Sequence, residues 1–258
     1  TNTAEWIFAG VDGRYSVALI VIDKGSGPVG TMSLAGPFYS QADFLRGRTA
    51  LGQISWESVA QASATSSIPN LPDAHSVEVF AQIRRAPRLD DIRPGWDFRP
   101  VAEFHATNDR ATFDAGGEAA GRLAVRGGAG FDIWTPETSD VYAWADPVRV
   151  NEALLAKRQR QIQLKSSAFF GMPRKWAEDR RTLPLHHPRI AFRDITNSTN
   201  TRTSIVALVP PETPLLNSAP WVFRFDGDAR AEAFLLGVLS SIPLDWYARK
   251  YVELHMNL

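Results

Sequence analysis

Short apolar runs broken by Gly, Asp and Pro are the feature that most limits what this chain can fold into. They fill the stretch from Trp96 to Asp146, as at Leu123–Val125, Phe131–Trp134 and Val141–Trp144. Runs of this length between turn residues are typical of β-strands. The longest apolar run, Val17–Ile22, has six residues, and a membrane-spanning helix needs roughly 18–20. We therefore expect a β-rich globular protein that does not enter a membrane.

Helices are predicted on both sides of this stretch. Ser76 to Arg85 has helical spacing, with Asp73 or Ser76 available as the N-cap, and Pro87 ends it. A second helix opens at Pro147 and runs to about Gln163, and a third is capped by Asp228 and runs to about Leu239. A short element at Leu244–Leu254 follows. Together with the strands, these helices predict an α+β fold, a β-rich body with packed helices.

Further strands and loops complete this reading. Strands are predicted at Trp6–Ile22, around a turn at Asp12-Gly13, and at Arg189–Ile195, Thr203–Val209 and Trp221–Phe225. Loops are predicted at Gly25–Gly30 and Ser63–Pro72, whereas the pattern of Leu45–Ala62 is ambiguous. The chain opens Thr1-Asn2-Thr3 and its first Met is Met32, which we interpret as a piece of a longer protein. The absence of cysteine excludes disulfides and thiolate metal sites.

Positive charge is concentrated in one segment. Between Arg149 and Arg202 there are 12 Lys and Arg against 4 Asp and Glu, whereas the rest of the chain has 16 against 24. A basic segment in a neutral chain is suited to phosphates, because each neutralised phosphate releases condensed counterions. The alternative is a solvated helix face with scattered ion pairs.

Motifs that would indicate catalysis are missing. The Pro-Pro pair, at Val209–Glu212, lacks the polar and aromatic neighbours of the loop that holds the target amine in amino-methyltransferases. No Glu-x-Lys or Asp-x-Lys indicates a metal-dependent nuclease, and no Gly-rich nucleotide motif follows a strand. The adjacent His186 and His187 would face opposite ways in a strand, unlike zinc ligands. The chain is predicted to bind, with no catalytic centre of its own.

Two stretches carry motifs of a known family. His187–Pro210 contains Arg189-Ile190-Ala191-Phe192-Arg193-Asp194 and then Thr199-Asn200-Thr201-Arg202-Thr203. Trp96–Phe113 contains Glu103-Phe104-His105-Ala106-Thr107-Asn108-Asp109. Both resemble the large adenine-specific DNA methyltransferases of single-chain type II restriction-modification enzymes and of the BREX and DISARM phage-defence systems.

The flanking features follow the same order. Arg84–Leu89 ends a helix preceded by Pro69 and Pro72, and Phe234–Ser241 leads to Asp245–Arg249. The resemblance covers nearly the whole chain. It departs from the family at Ser241, near where an Asn-Ser pair is common, and over Ala119–Asp140.

The resemblance implies a place in a larger protein, because the family's cofactor and catalytic motifs lie N-terminal to this region. Residues 1–30 would be strands that abut or complete the missing catalytic domain, 31–95 a helical connecting region, and 96–258 the target-recognition domain. S-adenosylmethionine would bind the missing domain, with no cofactor in this fragment. The implied partners are double-stranded DNA, the catalytic methyltransferase domain of the same chain and other defence-system subunits, in the bacterial cytoplasm.

Candidate DNA contacts come from the turn at Thr196–Arg202, the basic-aromatic segment Phe169–Trp176 and the helix after Pro147. Arg, Lys, Asn and Thr suit phosphates and base edges. The predicted contacts are Lys157, Arg158, Lys165, Arg174, Lys175, Trp176, Arg189, Arg193, Asn197, Thr199, Asn200 and Arg202.

Each candidate has a structural alternative. Asn and Thr also form self-bonded turns, Arg193 or Arg202 could pair with Asp194, and Trp176 could belong to the core. His105, Thr107 and Asp109 are predicted to form a turn network. Trp96, Trp134, Trp144 and Trp221 are predicted to be core residues.

The predicted function is sequence-specific recognition of double-stranded DNA for an adenine-N6 methyltransferase. The alternative is a protein-interaction or assembly module of a phage-defence complex. A divergent enzyme with its own nuclease or transferase site is disfavoured by the missing motifs.

Overall fold

The chain is a mixed α+β protein, as predicted. A computed structural model describes residues 2–13, 15, 17–22, 30–49, 51–62, 67–113, 117–226, 228–252 and 255–256. Within these residues are seven α-helices and several small antiparallel sheets. None of the helices in this described part is both long and apolar enough to cross a membrane.

The elements alternate along the chain without a repeat. The helices are α1 (Gln41–Gly47), α2 (Trp56–Ala62), α3 (Ala74–Ile83), α4 (Pro147–Gln161), α5 (Arg174–Glu178), α6 (Ala229–Leu239) and α7 (Ile242–Ala248). The strands are β1 (Thr31–Leu34), β2 (Gly52–Ser55), β3 (Asp97–Val101), β4 (Leu123–Val125), β5 (Ala143–Ala145), β6 (Arg189–Phe192), β7 (Val206–Val209) and β8 (Trp221–Asp226).

The first compact unit is assembled from three pieces of chain, Thr1–Pro87, Asn197–Thr199 and Trp246–Glu253. It contains the β1–β2 hairpin and helix α3. Its core is formed by Ile54, Val59, Leu71 and Phe80, and Trp246, Tyr247 and Tyr251 from the third piece pack against it.

The second compact unit comprises Arg88–Thr196, Asn200–Asp245 and Leu254–Leu258. Its main sheet is antiparallel with the strand order β3-β8-β6-β7, and β4 and β5 form a separate pair. The central strand β6 is buried along its whole length.

Apolar clusters cover both faces of the main sheet. Phe192 of β6 packs in a cluster with Leu235 of α6. Ala191, its neighbour on the opposite face, packs in a cluster with Phe131 and Phe169, which lie in loops. Because alternate strand residues point to opposite faces, one face is covered by a helix and the other by loops. Those loops carry most of the candidate site.

The helix predictions are confirmed, because their start signals are local. Helix α3 begins after Asp73, whose side chain accepts a hydrogen bond from the Ser76 amide. Helix α4 begins at Pro147, and Asp228 caps α6. Strands β6, β7 and β8 also lie where they are predicted.

Two strand predictions are wrong, and both lack pairing partners. The described part of Trp6–Ile22 contains no strand, and its apolar residues Val17–Ile22 are exposed. Phe131–Trp134 forms a tight turn instead of a strand. An apolar run becomes a strand only where another strand completes its hydrogen bonds.

The ambiguous stretch Leu45–Ala62 resolves into the end of α1, then β2 and α2. Two predicted loops lie partly outside the described residues, at 25–29 and 63–66. The roles predicted for residues 1–30, 31–95 and 96–258 stay predictions.

Candidate nucleic-acid interface

Arg189, a predicted DNA contact, is an interior residue at the start of β6. Its side chain is 3% exposed, and its Nη2 lies 2.8 Å from Oε1 of Glu103, which is 2% exposed. Arg189 also donates to the carbonyl of Thr213 at 2.6 Å. Burial raises the pKa of Glu103 and lowers the pKa of Arg189, and the ion pair opposes both shifts. The structure does not present Arg189 to a phosphate, contrary to the prediction.

The Glu103–Arg189 pair joins the two stretches that carry the family resemblance. The other carboxylate oxygen of Glu103 accepts a hydrogen bond from the Leu215 amide at 2.9 Å. The amide of Phe104, the next residue, donates to the Leu215 carbonyl at 3.1 Å. Residues of both stretches therefore make interior contacts within the second unit.

Arg158, Lys157 and Trp176 are also occupied within the protein. Arg158 is 2% exposed, donates to the Thr182 carbonyl at 2.7 Å and lies 4.1 Å from the centre of the Trp176 ring. Its burial lowers the pKa of Arg158 to about 10. Lys157 donates to the carboxylate of Asp109. Trp176 packs against the core, as its structural alternative predicts, whereas the solvated helix face offered as the alternative for the basic segment does not describe the buried Arg158.

Arg193 holds a loop instead of facing outwards. Its Nε donates to the carbonyl of Gly128 at 2.6 Å and its Nη2 to the carbonyl of Phe131 at 2.9 Å. The loop approaches closely: a Cβ at Gly128 would lie 2.7 Å from the Ser218 carbonyl oxygen and 2.9 Å from Cγ of Arg193. A side chain at position 128 would displace the backbone that Arg193 binds.

Arg202 is half-buried at the end of the predicted DNA-facing turn. It donates to the Ser240 carbonyl at 2.6 Å, and its Nε lies 3.5 Å from Asp245. The alternative pairing with Asp194 does not occur, because Asp194 lies 2.9 Å from Nδ1 of His255.

The turn at Thr196–Arg202 bonds largely to itself. Thr196 donates from its hydroxyl to the Thr203 carbonyl at 2.9 Å, and the Thr199 amide donates to Oδ1 of Asn197 at 2.9 Å. These bonds are those of a self-bonded Asn/Thr turn. Thr199 and Asn200 are nevertheless exposed, so they stay candidate contacts.

The connection between α4 and α5, Ile162–Pro173, is the part of the basic segment that faces outwards. The Gly171 amide donates to the Ile162 carbonyl at 3.1 Å, which closes the connection into a loop. Phe169 anchors the loop in the core. The loop is thus held at its neck and at one internal side chain.

Exposed cations surround this loop. Phe170, next to the Gly171 that closes the loop, is 48% exposed, and no acidic residue occurs from Arg160 to Ala177. Arg174 pairs with Glu178 at 2.7 Å, but its side chain is 86% exposed, and solvent screens an exposed pair of this kind. The exposed cations of the loop and its flanks are Arg160, Lys165, Arg174 and Lys175.

The prediction that Trp134 is a core residue is wrong, because its side chain is 67% exposed. It lies in a two-residue turn in which the amides of Asp132 and Thr135 each donate to the other residue's carbonyl at 2.9 Å. Its φ is 59°, a left-handed conformation that costs an L-residue about 1–2 kcal/mol. The other three tryptophans of that prediction, Trp96, Trp144 and Trp221, are half-buried or buried.

Histidine and carboxylate side chains near the interface serve structural roles. The His105 amide donates to the Asp109 carboxylate at 2.6 Å, which confirms the predicted turn network. His186 lies 2.8 Å from both Glu212 and Asn151. Among the described residues, no group of three or more His, Cys, Asp or Glu is placed to hold a metal ion.

Comparison with known proteins adds no relative. No protein-family model matches the chain, and no curated protein matches it.

Proposed function

We propose that this chain binds double-stranded DNA as part of the target-recognition region of a bacterial, cytoplasmic, S-adenosylmethionine-dependent adenine-N6 methyltransferase. The observation that carries the proposal is the composition of the α4–α5 loop and its flanks. They present exposed cations and the exposed Phe170, and they contain no acidic residue up to Ala177. Exposed cations in and beside an anchored loop suit a phosphate backbone, because binding then orders few further loop conformations. The methyltransferase assignment is supported by the motif resemblance.

The structure changes which residues we assign to the interface. Arg158, Arg189 and Trp176 are left out, because they are buried or packed in the core. Lys157, Arg193 and Arg202 are left out as well, because each donates a hydrogen bond to a loop or turn of the protein itself. The residues we retain for DNA contact are Arg160, Phe170, Thr199 and Asn200, together with Lys165, Arg174 and Lys175.

Salt titration of duplex binding tests the proposal. We expect the triple variant Arg160→Ala/Lys165→Ala/Lys175→Ala to weaken binding to duplexes of any sequence. The slope of log K against log salt should fall by up to about three, since each phosphate that is no longer neutralised lowers it by close to one. Binding is measured by fluorescence anisotropy with a labelled duplex.

A charge-matched control separates local contact from net charge. Arg46, Arg85 and Arg230 are exposed arginines outside the basic segment, and replacing all three with Ala removes the same charge. The control should retain nearly the wild-type slope. Equal effects in both triple variants, or no duplex binding by the wild-type chain, would contradict the proposal.

An assembly role is the second candidate, and helix α6 favours it. Phe234 and Val238, one helical turn apart on α6, are 64% and 37% exposed, and Ile242, the first residue of α7, is 75% exposed. Exposed apolar side chains on one helix face are typical of protein contacts. If the partner is a second copy of this chain, sedimentation at increasing protein concentration should show self-association. The substitution Val238→Glu should abolish that self-association.

A further inference from the structure

The turn that carries Trp134 is mounted on an anchored loop, Gly127–Asp140. Nη1 of Arg126, which is buried, donates to the carbonyls of Gly130, Thr138 and Asp140 at 3.3, 2.7 and 3.0 Å. Arg193 also donates to two carbonyls of this loop, so two arginine side chains hold the loop in place. Phe131, which is fully buried, anchors the loop directly before the turn. The backbone at Trp134 is therefore fixed from several sides, although its side chain points to solvent.

No contact of the Trp134 side chain offsets the strain of its backbone. Glu212 also has a positive φ, 60°, but its amide donates to Leu185 and its carboxylate lies 2.8 Å from His186. The Trp134 indole forms no hydrogen bond or ring contact with the residues that the structure describes. Strained backbone that the surrounding structure enforces is typical of binding sites.

The charge of the loop restricts what Trp134 can contact. Gly127–Asp140 contains three acidic residues, Asp132, Glu137 and Asp140, and no Lys or Arg. Glu137 lies 3.3 Å from Arg126, whereas Asp132, the first residue of the turn, and Asp140, the last residue of the loop, are exposed. Carboxylates repel phosphates but accept hydrogen bonds from base amino groups, and an indole face stacks on a base. The turn is thus suited to a base and not to the DNA backbone.

We propose that Trp134 is a base-contacting residue of the DNA interface. The inference rests on the proposed function and assigns different contacts to two parts of the interface. The cations in and beside the α4–α5 loop contact phosphates and give affinity for any duplex. Trp134 stacks on or wedges against a base, and so contributes to sequence preference.

Two duplex probes separate these roles. The wild-type chain first retains duplexes from a random-sequence pool, and sequencing identifies an enriched sequence. Affinity is then measured for that enriched duplex and for a scrambled duplex of the same composition. Trp134→Gly should weaken binding to the enriched duplex roughly tenfold and change binding to the scrambled duplex by less than about twofold. The salt slope should stay at the wild-type value, because the variant neutralises the same number of phosphates.

Trp134→Gly also separates a binding role from a structural one. Glycine adopts a positive φ without strain, so the urea unfolding midpoint of the Trp134→Gly variant should equal or exceed the wild-type value. A structural tryptophan would lower that midpoint when removed. Phe234→Ala, which removes an equally exposed aromatic from α6, should leave both affinities unchanged.

The outcomes distinguish the two proposals. If the pool yields no enriched sequence, or the wild-type chain binds no duplex, the proposed function fails. If a sequence is enriched and Trp134→Gly binds it as the wild type does, only the role of Trp134 is overturned. An equal loss of affinity in Phe234→Ala would also overturn it.

Discussion

At the residue scale, the arginines of the basic segment divide by depth. Arg158 and Arg189 are buried, Arg193 and Arg202 are half-buried, and Arg174 is exposed. The charge pattern of the sequence could not separate the buried arginines from the exposed one, because arginine occupies all of these positions. The partner of Arg189 is Glu103, which lies in a different part of the sequence. Pairs of this kind depend on the completed fold and have no local signal.

The buried ion pair gives the first prediction. Arg189→Met leaves the Glu103 carboxylate unpaired in the interior, which should lower the free energy of unfolding by about 3–5 kcal/mol. Removing both charges in Glu103→Met/Arg189→Met should recover part of that stability, because no unpaired charge remains. Urea unfolding followed by circular dichroism measures both variants.

An exposed arginine provides the comparison. Arg174→Ala removes a surface pair with Glu178 and should leave the urea unfolding midpoint close to the wild-type value, because solvent screens an exposed pair. Equal stability of Arg189→Met and the wild type would show that the pair does not hold the second unit together.

Trp134 shows why the sequence does not reveal the exposed turn. Phe131-Asp132-Ile133-Trp134 has the composition of a short strand, and only Phe131 is fully buried. The Thr135-Pro136 pair that follows is a turn signal. It cannot indicate that Trp134 takes the left-handed position, because large side chains rarely occur there.

At the element scale, helix starts are predictable and strand pairing is not. A capping side chain bonds an amide two or three residues further on, so Asp73 and Asp228 are recognisable from nearby residues. A strand depends on a distant partner. Val17–Ile22 has the composition of a strand, but in the described structure no strand pairs with it.

The α3 cap gives a pH prediction. Asp73 accepts a hydrogen bond from the Ser76 amide at 2.7 Å, and this bond holds the pKa of Asp73 below its ordinary value. A lowered pKa in the folded state means that the stabilisation is present above about pH 4 and disappears as the pH falls through the folded value. Asp73→Ala should therefore cost about 1 kcal/mol at neutral pH and much less in acid.

Asp73→Asn is the matched control for this effect. Its amide oxygen can cap the helix without titrating, so its stability relative to the wild type should improve as the pH falls. Unfolding free energies at about pH 7 and about pH 3 measure this. A penalty for Asp73→Ala that is the same at both pH values would exclude the carboxylate as the cause.

At the scale of the whole molecule, the two compact units interleave along the chain. The core of the first unit depends on residues far from its N-terminal piece: Phe80 stacks on Tyr247 at 5.4 Å between ring centres, and the Asn70 amide donates to the Lys250 carbonyl at 2.9 Å. No composition shift marks such a unit, so it is not predictable as a domain.

This dependence can be tested by truncation. A chain ending after Asp245 lacks Trp246, Tyr247 and Tyr251, and its α3 amides should no longer be protected in hydrogen exchange. Tyr247→Ala in the full chain should produce a smaller decrease in protection of the same amides, since it removes one of the three aromatic side chains that pack against this core, and that side chain is only partly buried. Protected α3 amides in the truncated chain would show that Thr1–Pro87 folds without the third piece.

The core of the first unit, built from its first and third pieces, also sets an order of events during synthesis. At about 5–20 residues per second, roughly 10–30 s separate the synthesis of α3 from that of Tyr251. Until then the apolar side chains of Leu71 and Phe80 lack their aromatic neighbours and are open to aggregation. Aggregation of the nascent chain should therefore be most pronounced before the third piece has been synthesised.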